Sequence, residues 1–232
     1  MIPEHLTYLL VDLFCILVPF LFSFHPLLRF YRQWRYFLLP CLLTASFFLI
    51  WDGLFTGWGV WGFNHAYVLG PFLFGMPVEE FLFFLCIPYA SVFSYHCFGL
   101  FLPRLRGQYR LAAAFFLLQA VVLFLLAFGH PAQWYTSVTF ILLAAYSLFL
   151  LVRKVDFLAL FLVTYLFILI PFVLSNGVLT GSFLGRVVVW YNNERNLGIR
   201  ILTIPVEDIF YGMLLLLMNV GGYEYLRKRA QP

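Results

Sequence analysis

Residues 75–100 read GMPVEEFLFFLCIPYASVFSYHCFGL, and residues 203–225 read TIPVEDIFYGMLLLLMNVGGYEY. Each stretch carries Pro-Val-Glu followed by a second acid, then an apolar run of about the 20 residues that a helix needs to cross a bilayer core. Proline suits a first helical turn, where its missing N–H has no partner to lose, and acids there sit at the positive end of the helix dipole. Two membrane-crossing helices are therefore expected at 78–100 and 204–225, each with a pair of carboxylates at its start. Five further apolar stretches of comparable length lie at 6–24, 36–55, 111–129, 134–152 and 157–175. Continuous apolar runs of this length fit helices, not the alternating strands of a barrel.

Composition agrees. Apolar residues make up 64% of the 232 and charged residues 10%, against about 45–50% and about 25% in soluble domains. So apolar a chain must use lipid as its solvent. The expected fold is an all-α integral membrane protein with seven transmembrane helices. The first segment lacks a positive n-region and contains Asp12 and Pro19, so it reads as a retained span and not a cleaved signal. Cys15, Cys41, Cys86 and Cys97 lie scattered in apolar stretches, which implies neither disulfide nor metal site.

The loop charges orient the bundle. Arg29, Arg32, Arg35, Arg104, Arg106, Arg110, Arg153, Lys154, Arg227, Lys228 and Arg229 fall on one side, and only Arg186, Arg195 and Arg200 on the other. Such a bias places the N-terminus outside and the C-terminus in the cytoplasm, in the cell membrane. The net charge of +4 is spread over short loops with no basic stripe, so nucleic acid is not an expected partner. The two long outer loops, 56–77 and 176–205, contain apolar stretches and are expected to hold short interfacial or re-entrant structure.

The chain repeats itself. Pro77 and Pro205, Glu79 and Glu207, and Asn64 and Asn192 are each 128 residues apart, while the Thr56-Gly57 and Thr180-Gly181 pairs are 124 apart. The unit is three helices, giving a first repeat at 1–103, a linker helix at 104–133 and a second repeat at 134–232. One linking span keeps the two units parallel, and a site is expected where they meet.

Glu79, Glu80, Glu207 and Asp208 are the candidate catalytic residues. They are four of only ten acids in the chain, and apolar sequence follows each pair. Ionisable groups in membrane segments are costly and usually functional. Several carboxylates in one dry place cannot all be charged, so the cluster is expected to share protons and supply both an acid and a base. Adjacent helix residues point about 100° apart. Glu79 and Glu207 are expected to face the pocket, with Glu80 and Asp208 orienting or relaying. Asn64 and Asn192 are supporting candidates as partners of the carboxylates, against the plainer reading of turn formation. Phe83 and Tyr211, one turn after the acids, offer aromatic faces to a carbocation. Arg200 is a candidate counter-charge, or simply a loop charge. Asp52, beside Gly53 at the end of the second span, has a helix-end reading of equal weight. The sequence has no dinucleotide fingerprint, phosphate loop or His/Cys cluster, so no metal is expected and the chemistry rests on side chains without cofactor, or else on a cofactor that leaves no trace in the sequence.

These motifs resemble those of the membrane-integral lycopene cyclases, found as two small homologous subunits or as one fused chain. The stretch from Leu197 through Arg200 and Pro205-Val206-Glu207-Asp208 to Tyr211 is similar to the second-half signature, and Gly75-Met76-Pro77-Val78-Glu79-Glu80 to Phe84 to the first. The likeness spans nearly the whole chain, as in the fused form. It implies a non-redox, acid-catalysed closure of the linear ends of lycopene, to β rings above all, in carotenoid biosynthesis. It implies lycopene and membrane lipid as partners, and leaves a homo-oligomer or association with other carotenoid-pathway enzymes open. A related carotenoid hydratase and a proton-coupled transporter are the competing readings. A retinal photoreceptor needs a lysine within a span, and Lys154 and Lys228 both lie in expected cytoplasmic segments.

Overall fold

The computed structural model describes residues 3–183, 185 and 187–230. Arg186, counted above on the outer side, lies outside them. Seven helices are long and apolar enough to cross a membrane. They are α1 (Thr7–Phe22), α2 (Trp34–Gly57), α3 (Val78–Phe101), α4 (Tyr109–Gly129), α5 (Trp134–Val152), α6 (Leu158–Thr180) and α7 (Val206–Arg229). Their outer faces are apolar, with Leu43, Leu118, Leu125 and Phe128 each more than three-fifths exposed. A water-soluble surface rarely tolerates such continuous apolar area; hydrocarbon covers it without cost.

Two of the boundaries that differ from the sequence expectation bear on the site. α2 runs on to Gly57, and α6 runs on to Thr180, so Asn176 is helical and not a loop residue. Helix α6 stops at Gly181, which adopts a left-handed conformation (φ 98°) that glycine accepts without steric cost.

The two long loops, after α2 and after α6, contain strand as well as turn, so the all-α description holds for the spans alone. Backbone this close to the bilayer must find its own hydrogen-bond partners, and the loops do so with six short strands. These are β1 (Trp61–Phe63), β2 (Phe72–Leu73), β3 (Met76–Pro77), β4 (Val189–Tyr191), β5 (Arg200–Ile201) and β6 (Ile204–Pro205). The β2–β3 hairpin pairs Phe72 with Pro77, and the β5–β6 hairpin pairs Arg200 with Pro205, again 128 residues on. β1 and β4 pair with each other in antiparallel register, Gly62 opposite Trp190 at the centre. The flanking bonds are reciprocal: Asn64 N–H donates to the Val188 carbonyl at 2.8 Å, and Asn192 N–H to the Val60 carbonyl at 2.9 Å. This ribbon caps the bundle at one end.

At the opposite end, Tyr223 donates to Gln33, Arg106 to Glu224, and Lys228 pairs with Asp156. The α1–α2, α3–α4 and α5–α6 connections thus lie together with the tail of α7. Within each half, α1 packs on α3 and α5 on α7; between halves, α2 packs on α7 and α3 on α6. The α2–α7 crossing is tight because Gly222 meets Pro40, whose Cβ would lie 2.6 Å from a side chain added there. Small residues let membrane helices approach in this way. Gly222→Ala should therefore cost about 1–3 kcal/mol by overpacking, read as a lower thermal midpoint of the purified protein in detergent. An unchanged midpoint would show that the crossing has slack.

Candidate active site

Pro77 and Pro205 occupy the N-caps of α3 and α7, so each acid pair lies in a first helical turn with adjacent side chains pointing about 100° apart. All four acids are buried. Glu79 and Glu207 turn back to the loops: Glu79 Oε1 accepts the Leu69 N–H at 2.6 Å, and Glu207 Oε1 accepts the Leu197 N–H at 2.7 Å and the Thr136 hydroxyl at 2.6 Å. This corrects the expectation that Glu79 and Glu207 face the pocket. The incoming loops bring a backbone N–H needing an acceptor, and the first acid of each pair supplies it. Glu80 and Asp208 face inwards instead.

They line a cavity of about 520 Å³, together with Asp52. Its walls come from α1, α2, α3, α5, α6, α7 and the β1–β4 ribbon, and apart from these acids they are largely apolar and aromatic. Phe83 and Tyr211 also line it, joined by Tyr8, Trp61, Tyr135 and Tyr191. Between α1 and α6 the wall includes Phe14, Val18 and Leu174, each more than half exposed on the outer flank of the bundle. The cavity therefore gives onto the surface that meets hydrocarbon.

The carboxylates are held by phenols and an amide. Tyr8 OH donates to Glu80 Oε2 at 2.6 Å, and Tyr211 OH to Asp52 Oδ1 at 2.6 Å. Asp208 accepts three bonds: Tyr135 OH at 2.5 Å, Asn176 Nδ2 at 2.8 Å and Tyr191 OH at 2.9 Å. Burial, and then the adjacent Asp208 carboxylate, push the Tyr191 phenol well above its usual range, so it stays a donor. Among the described residues, no lysine or arginine pairs with any of these acids.

Three supporting candidates go elsewhere. Asn64 and Asn192 do not touch the carboxylates; their side chains accept from Ala66 N–H and Glu194 N–H, capping short 3-10 turns in the loops. Turn formation, the plainer reading, describes them. Arg200 does not counter an acid either. Its guanidinium donates to the Thr203 carbonyl and Asn193 Oδ1, both at 2.6 Å, and covers the Tyr191 ring from outside. Nothing in the sequence motifs marks Tyr8, Tyr135, Tyr191 or Asn176 as a site residue. The repeat offers a faint signal, because Tyr8 and Tyr135 stand 127 residues apart and Asp52 and Asn176 stand 124 apart. Asp12, one turn beyond Tyr8, is fully buried with neither carboxylate oxygen hydrogen-bonded.

The arrangement places carboxyl groups, with no cation beside them among the described residues, against an apolar space walled by aromatic rings. Such a site can protonate an apolar guest, stabilise the resulting cation on ring faces and take a proton back. The model of one protein family, described as lycopene cyclase, matches residues 5–98 and 132–226. The chain belongs to the lycopene cyclase family. The two matched stretches are the two halves that carry the repeated motifs, and a lycopene-cyclising membrane enzyme accounts for the apolar cavity. A search of curated proteins and a search of solved structures returned no match.

Proposed function

We propose that this cyclase is the fused form and closes β rings at the ends of lycopene, giving γ- and then β-carotene with no cofactor and no net redox change. The observation that carries the reading is the apolar cavity into which Glu80, Asp208 and Asp52 all project. A proton added to the terminal double bond leaves a tertiary cation. The next double bond attacks it, the six-membered ring closes, and loss of a ring proton sets the ring double bond. Phe83, Trp61 and Tyr211 offer their faces to the cationic intermediates. The end group enters between α1 and α6 while the rest of the polyene stays in lipid. Both halves contribute to one cavity, so one end is cyclised at a time.

The same reading covers the architecture. Two parallel three-helix units, 1–103 and 134–232, are joined by a linker at 104–133; the hydrogen bonds recurring at an offset of 128 support this, as does the reciprocal β1–β4 ribbon, since a self-complementary contact is what a two-fold relation produces. The bias of positive charge towards the end where Arg106 meets Glu224 and where Arg227 and Lys228 close α7 supports a cytoplasmic C-terminus in the cell membrane.

The test is pigment analysis of a lycopene-accumulating bacterial host expressing the chain. Ringed carotenes are expected, and the product names the ring type. A hydroxylated acyclic product would favour a hydratase, and untouched lycopene with the protein present in the membrane would sink the cyclase reading.

A further inference from the structure

The two halves of the site differ at equivalent positions, and the difference gives the proton a direction. Asp52 on α2 and Asn176 on α6 stand 124 residues apart, the same offset as the Thr-Gly pairs that follow them. Each meets the cavity-facing acid of its own half. Asn176 donates to Asp208 at 2.8 Å. Asp52 lies within hydrogen-bonding reach of Glu80. An amide donates an N–H and keeps it, whereas two carboxyl groups can bond to each other only if one of them carries a proton.

The surroundings sharpen the contrast. Asp52 and Glu80 are 3% and 6% exposed, each accepts one phenol, and no cation pairs with them among the described residues. Two buried negative charges in contact without a counter-ion are not sustainable, so the pair retains a proton. Asp208 accepts three hydrogen bonds, which stabilise a carboxylate. One of these phenols belongs to Tyr191, whose counterpart in the first half is Phe63 and has no hydroxyl to offer.

We propose that the Asp52–Glu80 pair is the acid of the reaction and Asp208 its base, an assignment that rests on reading the site as a cyclase. The proton held by the pair adds to the terminal double bond of the polyene, whose π electrons form the new C–H bond. The neighbouring double bond closes the ring on the resulting cation. Asp208 then accepts a ring proton, and the electrons of that C–H bond become the ring double bond. One proton enters and one leaves. It returns from Asp208 to the pair across the cavity that all three side chains line before the next turnover.

Asp52→Asn tests this. The variant keeps an oxygen for the Tyr211 hydroxyl and gains an amide that can donate to Glu80 as Asn176 does to Asp208, so a packing or bonding role survives while the shared proton is lost. In liposomes containing lycopene, ring formation should fall about 100-fold or more, and Asp52→Glu should recover much of it. In infrared spectra, one component of the protonated-carboxyl stretch, shifted by D2O in the unmodified protein, should vanish in Asp52→Asn and persist in Asp208→Asn. An Asp52→Asn variant with unchanged turnover, or with that band intact, overturns the assignment. Absence of rings from the unmodified protein would instead count against the cyclase reading, and the infrared band would still report on the pair.

Discussion

Glu80→Gln is expected to slow ring formation about 100-fold or more while leaving the protein folded in the membrane. The amide has the shape of the acid and still accepts the Tyr8 hydroxyl through its carbonyl oxygen, but it has no proton to give. Loss of a general acid or base costs about 10²–10⁴ in rate, and Asp208→Asn should fall in the same range. Glu79→Gln is the informative contrast. Glu79 is fully buried but serves the Leu69 backbone N–H, a bond that an amide oxygen preserves in weakened form. Its replacement costs about 1–2 kcal/mol of stability and lowers the amount of folded protein, with turnover per folded molecule largely retained. Chromatography of carotenes, normalised to folded protein, separates the two. Full turnover in Glu80→Gln beside none in Glu79→Gln would reverse the assignment of the acid that faces the cavity.

Glu224→Ala is expected to be the most damaging change to stability away from the cavity. Glu224 is 1% exposed and accepts Arg106 at 2.6 and 3.2 Å, Tyr95 at 2.6 Å and Arg227 at 2.9 Å. Burial works against the Arg106 charge, but the bond to Glu224 outweighs it and raises the pKa, so the guanidinium stays charged at any working pH. Removing the carboxylate leaves two arginines facing each other and one phenol without its acceptor. Breaking a fully buried pair costs about 3–5 kcal/mol. The arginine side chains are 22% and 24% exposed, so water relieves part of this and about 2–3 kcal/mol remains. For a chain of this length that lowers the thermal midpoint by roughly 5–10 °C. A midpoint within a degree of the unmodified protein would show that the arginines reach water unaided.

The spans were legible because lipid imposes a simple rule on composition, and their ends fell within a few residues of the helices observed. The repeat was legible because its markers, proline and paired acids, are rare in so apolar a chain. Which acid of each pair faces the cavity was not. Helix geometry separates Glu79 from Glu80 without saying which way the helix is rotated, and the rotation depends on two loop N–H groups, at Leu69 and Leu197, that nothing in the motif announces. Tyr8 and Tyr135 were hidden among 14 tyrosines, because a phenol in a hydrophobic run carries no periodic signal. Asn176 was hidden by a helix boundary. Its role depends on α6 continuing past it to Gly181.

The wall of Phe14, Val18 and Leu174 puts the mouth of the cavity in the plane of the bilayer. Supply of the reactant is then a two-dimensional problem. The quantity that sets occupancy is the number of carotenes per lipid, not per litre of suspension, and a membrane enriched in pigment saturates the enzyme while the water around it holds none. On the proposed reading, the product leaves into the same plane, where each monocyclic molecule competes with fresh lycopene for the gap between α1 and α6. An enzyme that closes one end at a time, as proposed, would then take a population from one ring to two at a rate governed by the pigment loading of the membrane as much as by the chemistry within the cavity.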